Sequence, residues 1–321
     1  MNCKVSILIP VYNREKFIGE CIKSALDQSY DDFEVVVVDN ASEDRTWEIC
    51  QKFATTDLRV RVFRNKSNIG PVKNWQRCAQ EAKGEFSKIL FSDDLLEPDC
   101  LSEMLANWDH KDIGFVFCSA KIGLEKDNTK LAYSLRGNSL IEAKRYCNLV
   151  LTGKAPVSPG AVLLRTIDLK ENLRINFPTA IPHTFGNNGA GPDVMIMLLT
   201  ALQYRFVKHL DKGLVFFRAH PGSFTISDSS GSVRSNYEYM TSYYLHRHES
   251  WISWMKYLSS RFVRKILSDG PFFSPRLFLR DREGKGAYHE VVILFLLIPF
   301  IVIKSLSRKC TAILGRYSVL K

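Results

Sequence analysis

Lys88-Ile89-Leu90-Phe91-Ser92-Asp93-Asp94 is a short apolar run that stops at two adjacent carboxylates. A buried strand reads this way when its carboxyl end opens into a ligand crevice. Neighbouring Asp side chains repel each other unless a cation or a hydrogen-bond donor separates their charge. Asp93 and Asp94 therefore admit two readings. Either they help hold Mg²⁺ or Mn²⁺ together with the phosphate oxygens of a substrate, or one of them caps the helix whose first turn holds Pro98.

Working outward from this stretch, the same strand-then-polar-turn pattern recurs. Val5 to Ile9 runs into Pro10-Val11-Tyr12-Asn13, and Phe17, Ile18, Cys21, Ile22, Ala25 and Leu26 follow at helical spacing. Phe33 to Val38 ends at Asp39-Asn40, ahead of a helix carrying Trp47, Cys50 and Phe53. Val60 to Phe63 is closed by Asn65 and the Asn68-Ile69-Gly70 turn, with a helix around Trp75 and Cys78 behind it. After the acidic pair come a helix from about Pro98 to Trp108 and a fifth strand, Ile113 to Cys118.

Strands alternating with helices over about 120 residues predict an α/β fold with a doubly wound, mostly parallel sheet covered on both faces. Ligands bind outside the carboxyl ends of such strands. Asn13, Asp39, Asn40, Asn68, Asp93 and Asp94 all fall at those ends, and four successive polar termini on one edge point to one site. The phosphate loops G-x-x-x-x-G-K and G-x-G-x-x-G are absent, which argues against a P-loop nucleotidase and a dinucleotide oxidoreductase.

Beyond the fifth strand the periodicity weakens, apart from a helix near Ile141 to Leu151 and a strand at Ala161 to Arg165. A loop from Ile181 to Pro192 delivers Asp193 to the start of an apolar helix. Two strands are expected next, at Tyr204 to Val207 and at Leu214 to Phe217, the second ending in Arg218-Ala219-His220.

Length and composition fit one large α/β domain with an appendage: 321 residues, 45% hydrophobic and 24% charged. Eight single cysteines without a C-x-x-C pair read as reduced hydrophobes in a cytosolic compartment, and the N-terminus has no signal-peptide pattern. The net charge of +10 is uneven. From Arg234 onward fifteen Lys or Arg face six Asp or Glu, so nine of the ten surplus charges sit in the tail. There Trp251, Trp254, Met255, Leu258, Phe262 and Ile266 form an apolar stripe. Val291 to Ile303 is thirteen nearly pure hydrophobic residues, too short to span a bilayer and followed by Lys304, Arg308, Lys309 and Arg316. Such a segment suits the plane of a membrane interface, or else a core helix or an oligomer contact.

Four motifs in order carry a family resemblance: Ser6-Ile7-Leu8-Ile9-Pro10-Val11-Tyr12-Asn13, Val37 to Thr46, Asn68-Ile69-Gly70, and Phe91-Ser92-Asp93-Asp94. With Gly191-Pro192-Asp193 and Phe217-Arg218-Ala219-His220, they make the chain resemble the family 2 inverting glycosyltransferases with a GT-A fold that build bacterial surface polysaccharides. The resemblance implies a catalytic GT-A domain over residues 1–225, its nucleotide-sugar side in 1–120 and its acceptor side in 121–225. A basic, aromatic, amphipathic helical extension, 226–321, would associate with the membrane.

By position, Pro10, Tyr12, Glu15, Asp39, Asn68 and Asp93 would bind the nucleotide sugar. Asp94 would ligate Mg²⁺ or Mn²⁺, with His220 as a second metal or phosphate contact at the rim, and Asp193 would be the catalytic base. The implied partners are a nucleotide-sugar donor, a lipid-linked oligosaccharide acceptor and the cytoplasmic face of the inner membrane. Ser92 departs from the pattern, standing where many relatives carry a further Asp.

Each residue also has a structural reading. Asp193 would serve as a helix N-cap, His220 as a loop histidine instead of a metal ligand, Glu15 as a first-turn acid favoured by the helix dipole, and Trp75 as core. Two other classes of function fit parts of the chain: a catalytically inactive membrane-bound scaffold, and a basic nucleic-acid-binding protein.

Overall fold

The computed structural model describes residues 3–155, 158–177, 185–223, 226 and 231–269, with side chains as far as Arg261. Its strands are β1 (Val5–Val11), β2 (Phe33–Asp39), β3 (Val60–Arg64), β4 (Phe86–Ile89), β5 (Leu95–Leu96), β6 (Ile113–Gly123), β7 (Lys130–Ala132), β8 (Ser139–Glu142), β9 (Val162–Arg165) and β10 (Phe206–Arg218). Its helices are α1 (Ile18–Leu26), α2 (Thr46–Thr56), α3 (Pro71–Glu81), α4 (Cys100–Ala106), α5 (Ala143–Leu151), α6 (Thr166–Asn172), α7 (Phe185–Asn188), α8 (Pro192–Gln203), α9 (Ser232–His248) and α10 (Trp251–Asp269). The chain divides into two compact units, one of Met1–Asn176 with Thr184–Tyr237 and the other of Phe177–His183 with Glu238–Lys321.

Every residue of β1 and β2 is buried, as mostly apolar strands are when helices cover both faces of a parallel sheet, and the buried Ser6 donates to Glu34. One covering helix is α1, which turns Ile18, Cys21, Ile22 and Ala25 inward at spacings of three and four. The sheet runs β3-β2-β1-β4-β9-β6-β10-β5. It is parallel across β3-β2-β1-β4 and again between β6 and β10, whereas β9 is antiparallel to both of its neighbours. Val11 pairs with Asp39, and Asp39 with Arg64. The carboxyl ends of β1, β2 and β3 therefore finish level along one edge.

The structure departs from the sequence expectations in three places. The two strands expected near Tyr204 and Leu214 are one strand, β10, whose register against β6 shifts between Phe206 and Lys208 and again around Gly213. These irregularities hide the period-2 pattern. The fourth strand stops at Ile89. Leu90 still donates to Leu8 O, but Asp94 N closes a turn onto Phe91 O, so the acidic pair sits on a turn leading into β5.

The third departure concerns the stripe expected to meet a membrane. Trp254, Met255 and Leu258 are buried, and Trp254 Nε1 donates to Ser242 Oγ at 3.1 Å, so these side chains belong to protein interior. Trp251 and Ile252, at the start of α10, are exposed. Val291 to Ile303 lies outside the described residues.

Inside β4, Lys88 is completely buried. Its ammonium donates to Gly160 O and to Ile89 O at 3.1 Å. Burial pushes its pKa down, and the two carbonyls take two of its three donors. The bond to Gly160 tethers β4 to the Ser158–Gly160 turn, which forms one wall of the site described next.

Candidate active site

A cavity of about 960 Å³ opens at the carboxyl edge of β1, β2 and β4, within the first compact unit. That volume suits a ligand of nucleotide-sugar size. Two loops that build its mouth are zipped together. Asn13, at φ 49°, donates its N–H to Ser42 Oγ and accepts from Glu43 N at 2.8 Å. Arg14 N donates to Thr46 Oγ1 at 2.7 Å. Pro10, Tyr12, Asn13 and Arg14 thereby face the cavity.

A chain of amides fixes the next wall. Asn65 Nδ2 donates to Asn40 Oδ1 at 2.9 Å and to Asn74 Oδ1 at 2.8 Å, while Asn40 Nδ2 donates to Asn68 Oδ1 at 2.8 Å. Asn68 Oδ1 also accepts from Gly70 N. Gly70, at φ 83°, holds the cap position before α3; a Cβ there would lie 2.7 Å from Gly186 O. Opposite, a Cβ on Gly189, at φ 76°, would lie 2.2 Å from Trp75 Cη2. Glycine at both positions lets the loop around α7 close over Trp75, which is core-packed yet lines the cavity.

The acidic pair is locked to the end of β10. Arg218 N donates to Asp94 Oδ1 at 2.9 Å and Arg218 Nε to Asp93 O at 3.1 Å. His220 Nε2 meets Asp93 Oδ2 at 2.9 Å, and its Nδ1 accepts from Gly222 N. Arg14 Nε lies 3.7 Å from the same Asp93 oxygen. His220 is thus a partner of Asp93. Asp94 is buried, and burial together with the charge of Asp93 pushes its carboxyl well above the usual range, against the opposing pull of the Arg218 N–H and of Lys88.

Among the described residues no group of three or more His, Cys, Asp or Glu is arranged to hold a metal ion. The donor set nonetheless fits a hard divalent cation that takes most of its oxygens from a substrate: Asp94 is a buried carboxylate whose charge one hydrogen bond leaves poorly compensated.

Asp193 lines the same cavity. It is the second residue of α8, not its cap, because Gly191 at φ 103° occupies the cap position. Asp193 Oδ1 accepts from Gly191 N at 2.8 Å and Val194 N at 2.7 Å, and Oδ2 accepts from Tyr237 Oη at 2.5 Å. Burial pushes this carboxyl up to about 7, and those three donors oppose the shift.

Glu15 and Asp39 are not among the residues lining the cavity. Glu15 Oε2 accepts from Arg45 N, which fixes the start of α2. Asp39 is fully buried, takes Ser42 N, and is paired with Arg64 Nε at 3.0 Å. Conversely, Arg14, Asn74, Tyr133, Ser158 and Tyr237 line the cavity without having been singled out from the sequence. Arg14 directly follows a quoted motif and was within reach; Tyr133 and Tyr237 sit in stretches without periodicity.

The family model for glycosyl transferase family 2 matches residues 6–170, which hold both edge loops, the amide wall and the acidic pair. The chain belongs to glycosyl transferase family 2. Among curated family members, the glycosyltransferase GlyG of Streptococcus pneumoniae serotype 4 is 32% identical over 112 residues, 35% of this chain and 37% of that protein. The putative teichuronic acid biosynthesis glycosyltransferase TuaG of Bacillus subtilis is 30% identical over 127 residues, 40% of this chain and 50% of that one. The matches thus span half or less of these relatives' lengths. Among solved structures, residues 1–349 of S. aureus TarS, in complex with UDP-GlcNAc, superpose with a TM-score of 0.62 at 23% identity, covering 82% of this chain and 73% of that one. The shared fold is the GT-A fold expected for the family.

Proposed function

We propose that this family 2 protein is an inverting glycosyltransferase of surface-polysaccharide biosynthesis, moving a sugar from a nucleotide-sugar donor to a lipid-linked oligosaccharide. The observation that carries the reading is one cavity holding both the acidic pair, with Asp94 buried, and a separate carboxylate, Asp193, poised near neutrality. Pro10, Tyr12, Asn68 and Asp93 contact the nucleotide sugar, and Arg14 beside Asp93 offers a cation to its diphosphate. Asp39 and Glu15 act on the nucleotide side by holding the Ser42 to Thr46 loop in place.

Asp94 would hold Mg²⁺ or Mn²⁺, with His220 orienting Asp93, and such an ion would supply charge neutralisation for the leaving group. Asp193 takes the acceptor hydroxyl's proton as its oxygen attacks the anomeric carbon. The bond to the diphosphate oxygen breaks with its electron pair on that oxygen, and attack from the opposite face inverts the centre. Support for the pathway comes from relatives such as TuaG, whose name places it in teichuronic acid biosynthesis.

Calorimetry with UDP, GDP and dTDP in the presence of Mn²⁺ should show binding of one diphosphate. Transfer from the corresponding sugar nucleotide should give a product whose anomeric coupling, read by NMR, is opposite to the donor's. No heat with any of the three would leave the inactive scaffold as the reading.

The membrane part of the proposal rests on the basic tail and on Val291 to Ile303 with the cations after it. Among the described residues no helix is long and apolar enough to cross a membrane. The full chain is expected to float with anionic liposomes at low salt and to be released by truncation before Tyr288. Full-length protein that ignores such liposomes would refute peripheral binding at the cytoplasmic face.

A further inference from the structure

Tyr237 lies well past the residues that the family model matches, in α9, and no motif in the sequence marks it. Its hydroxyl nevertheless reaches into the cavity and donates to Asp193 Oδ2 at 2.5 Å, the shortest of the three bonds to that carboxylate. The other oxygen is held by two backbone N–H groups that belong to the start of α8 itself. Those two bonds hold Oδ1, which leaves Oδ2 as the oxygen that can meet an acceptor. Only Tyr237 reaches Oδ2 among the described hydrogen bonds.

A second phenol stands near. Tyr133 lines the same cavity in the left-handed region at φ 65°, a conformation a bulky residue adopts only where its surroundings impose it, and packs edge-on against Phe217. The groups bonded to Asp193 are the Tyr237 hydroxyl and the two N–H donors at the start of α8, and the charge of Asp193 acts on the Tyr133 phenol. The charge of Asp94 acts on Tyr133 as that of Asp193 does.

We propose that Tyr237 is a positioning residue for the base: its hydroxyl pins Oδ2 of Asp193, so that the carboxylate presents one defined lone pair to the acceptor hydroxyl. This rests on Asp193 being the base. It also means that the acceptor side of the site is completed by a residue beyond the family's matched region, so a chain cut before α9 would keep the acidic pair and lose the orientation of the base.

The test uses the full-length protein without donor or acceptor. With ¹³C-labelled aspartate carboxyls, the Asp193 resonance is assigned as the signal missing from Asp193→Asn, and is expected to titrate near 7. Tyr237→Phe keeps the ring and removes only the hydroxyl, and losing one hydrogen bond to the ionised form should move that midpoint up by about one pH unit. Near-UV circular dichroism at pH 8 checks that the variant's packing is native. A Tyr237→Phe midpoint that superimposes on wild type overturns the role of Tyr237 alone. A wild type in which the assigned signal titrates near the ordinary carboxylate value of 3.8 overturns the reading of Asp193 as a poised base, and the inference with it.

Discussion

Asp94→Ala is expected to abolish sugar transfer, with a loss of about 10³-fold or more, and to remove the metal-dependent part of nucleotide binding. The size follows from the charge at stake. A cation held by Asp94 would contribute several kcal/mol of leaving-group stabilisation, and each 1.4 kcal/mol is about a factor of ten in rate. Asp94 also accepts the Arg218 N–H, so alanine would leave that donor without its partner as well. Asp94→Asn separates the two effects, because the amide oxygen keeps the acceptor and discards the charge. Asn is expected to fold with a near-native thermal midpoint and still fail to transfer. Near-wild-type turnover in Asp94→Asn would show that the carboxylate is only a structural acceptor for the end of β10.

Asp193→Asn is expected to lower kcat by about 10²-fold or more while leaving the donor KM nearly unchanged, the pattern of a lost general base. The surrounding bonds allow the exchange. The amide oxygen can keep the Gly191 and Val194 N–H groups, and the amide nitrogen can donate to a Tyr237 hydroxyl that has rotated.

Stability moves the other way. An ordinary Asp titrates at 3.8 and this one at about 7. Between those values the folded protein holds a proton that the unfolded chain has released, so wild-type stability falls as pH rises through that window. Asn carries no such charge, and its thermal midpoint at pH 8 should match or exceed wild type. The wild-type rate should fall tenfold per pH unit below about 7, since only the ionised carboxylate accepts a proton. Unfolding at pH 8, or a raised donor KM with kcat intact, would identify Asp193 as a structural residue of α8.

The sheet's first half was legible because its signals are local. Ile7 to Val11 and Val35 to Val38 are uninterrupted apolar runs, which a strand covered on both faces explains, and each is followed within two residues by Asn or Asp where the chain must turn. Order along the chain then placed Asn13, Asn40, Asn68, Asp93 and Asp94 on one edge without coordinates. The second half was less legible. Bulges in β10 break the alternation that marks a strand, and β9 enters antiparallel between β4 and β6, which no short-range pattern encodes.

What the amino-acid sequence alone determined is the fold class, the edge that carries the site, and its acidic pair, since periodicity and strand-end polarity depend on neighbours a few residues apart. Tertiary structure decided which carboxylates face the cavity. Asp39 lies within a quoted motif yet is turned into Ser42 and Arg64, and Glu15 is spent on Arg45, because partners 3 to 30 residues away compete for the same oxygens. His220 pairs with Asp93 across 127 residues, and Tyr237 meets Asp193 across 44. Asp193 owes its value near 7 to burial, a property of the packed chain that no spacing of residue types can express.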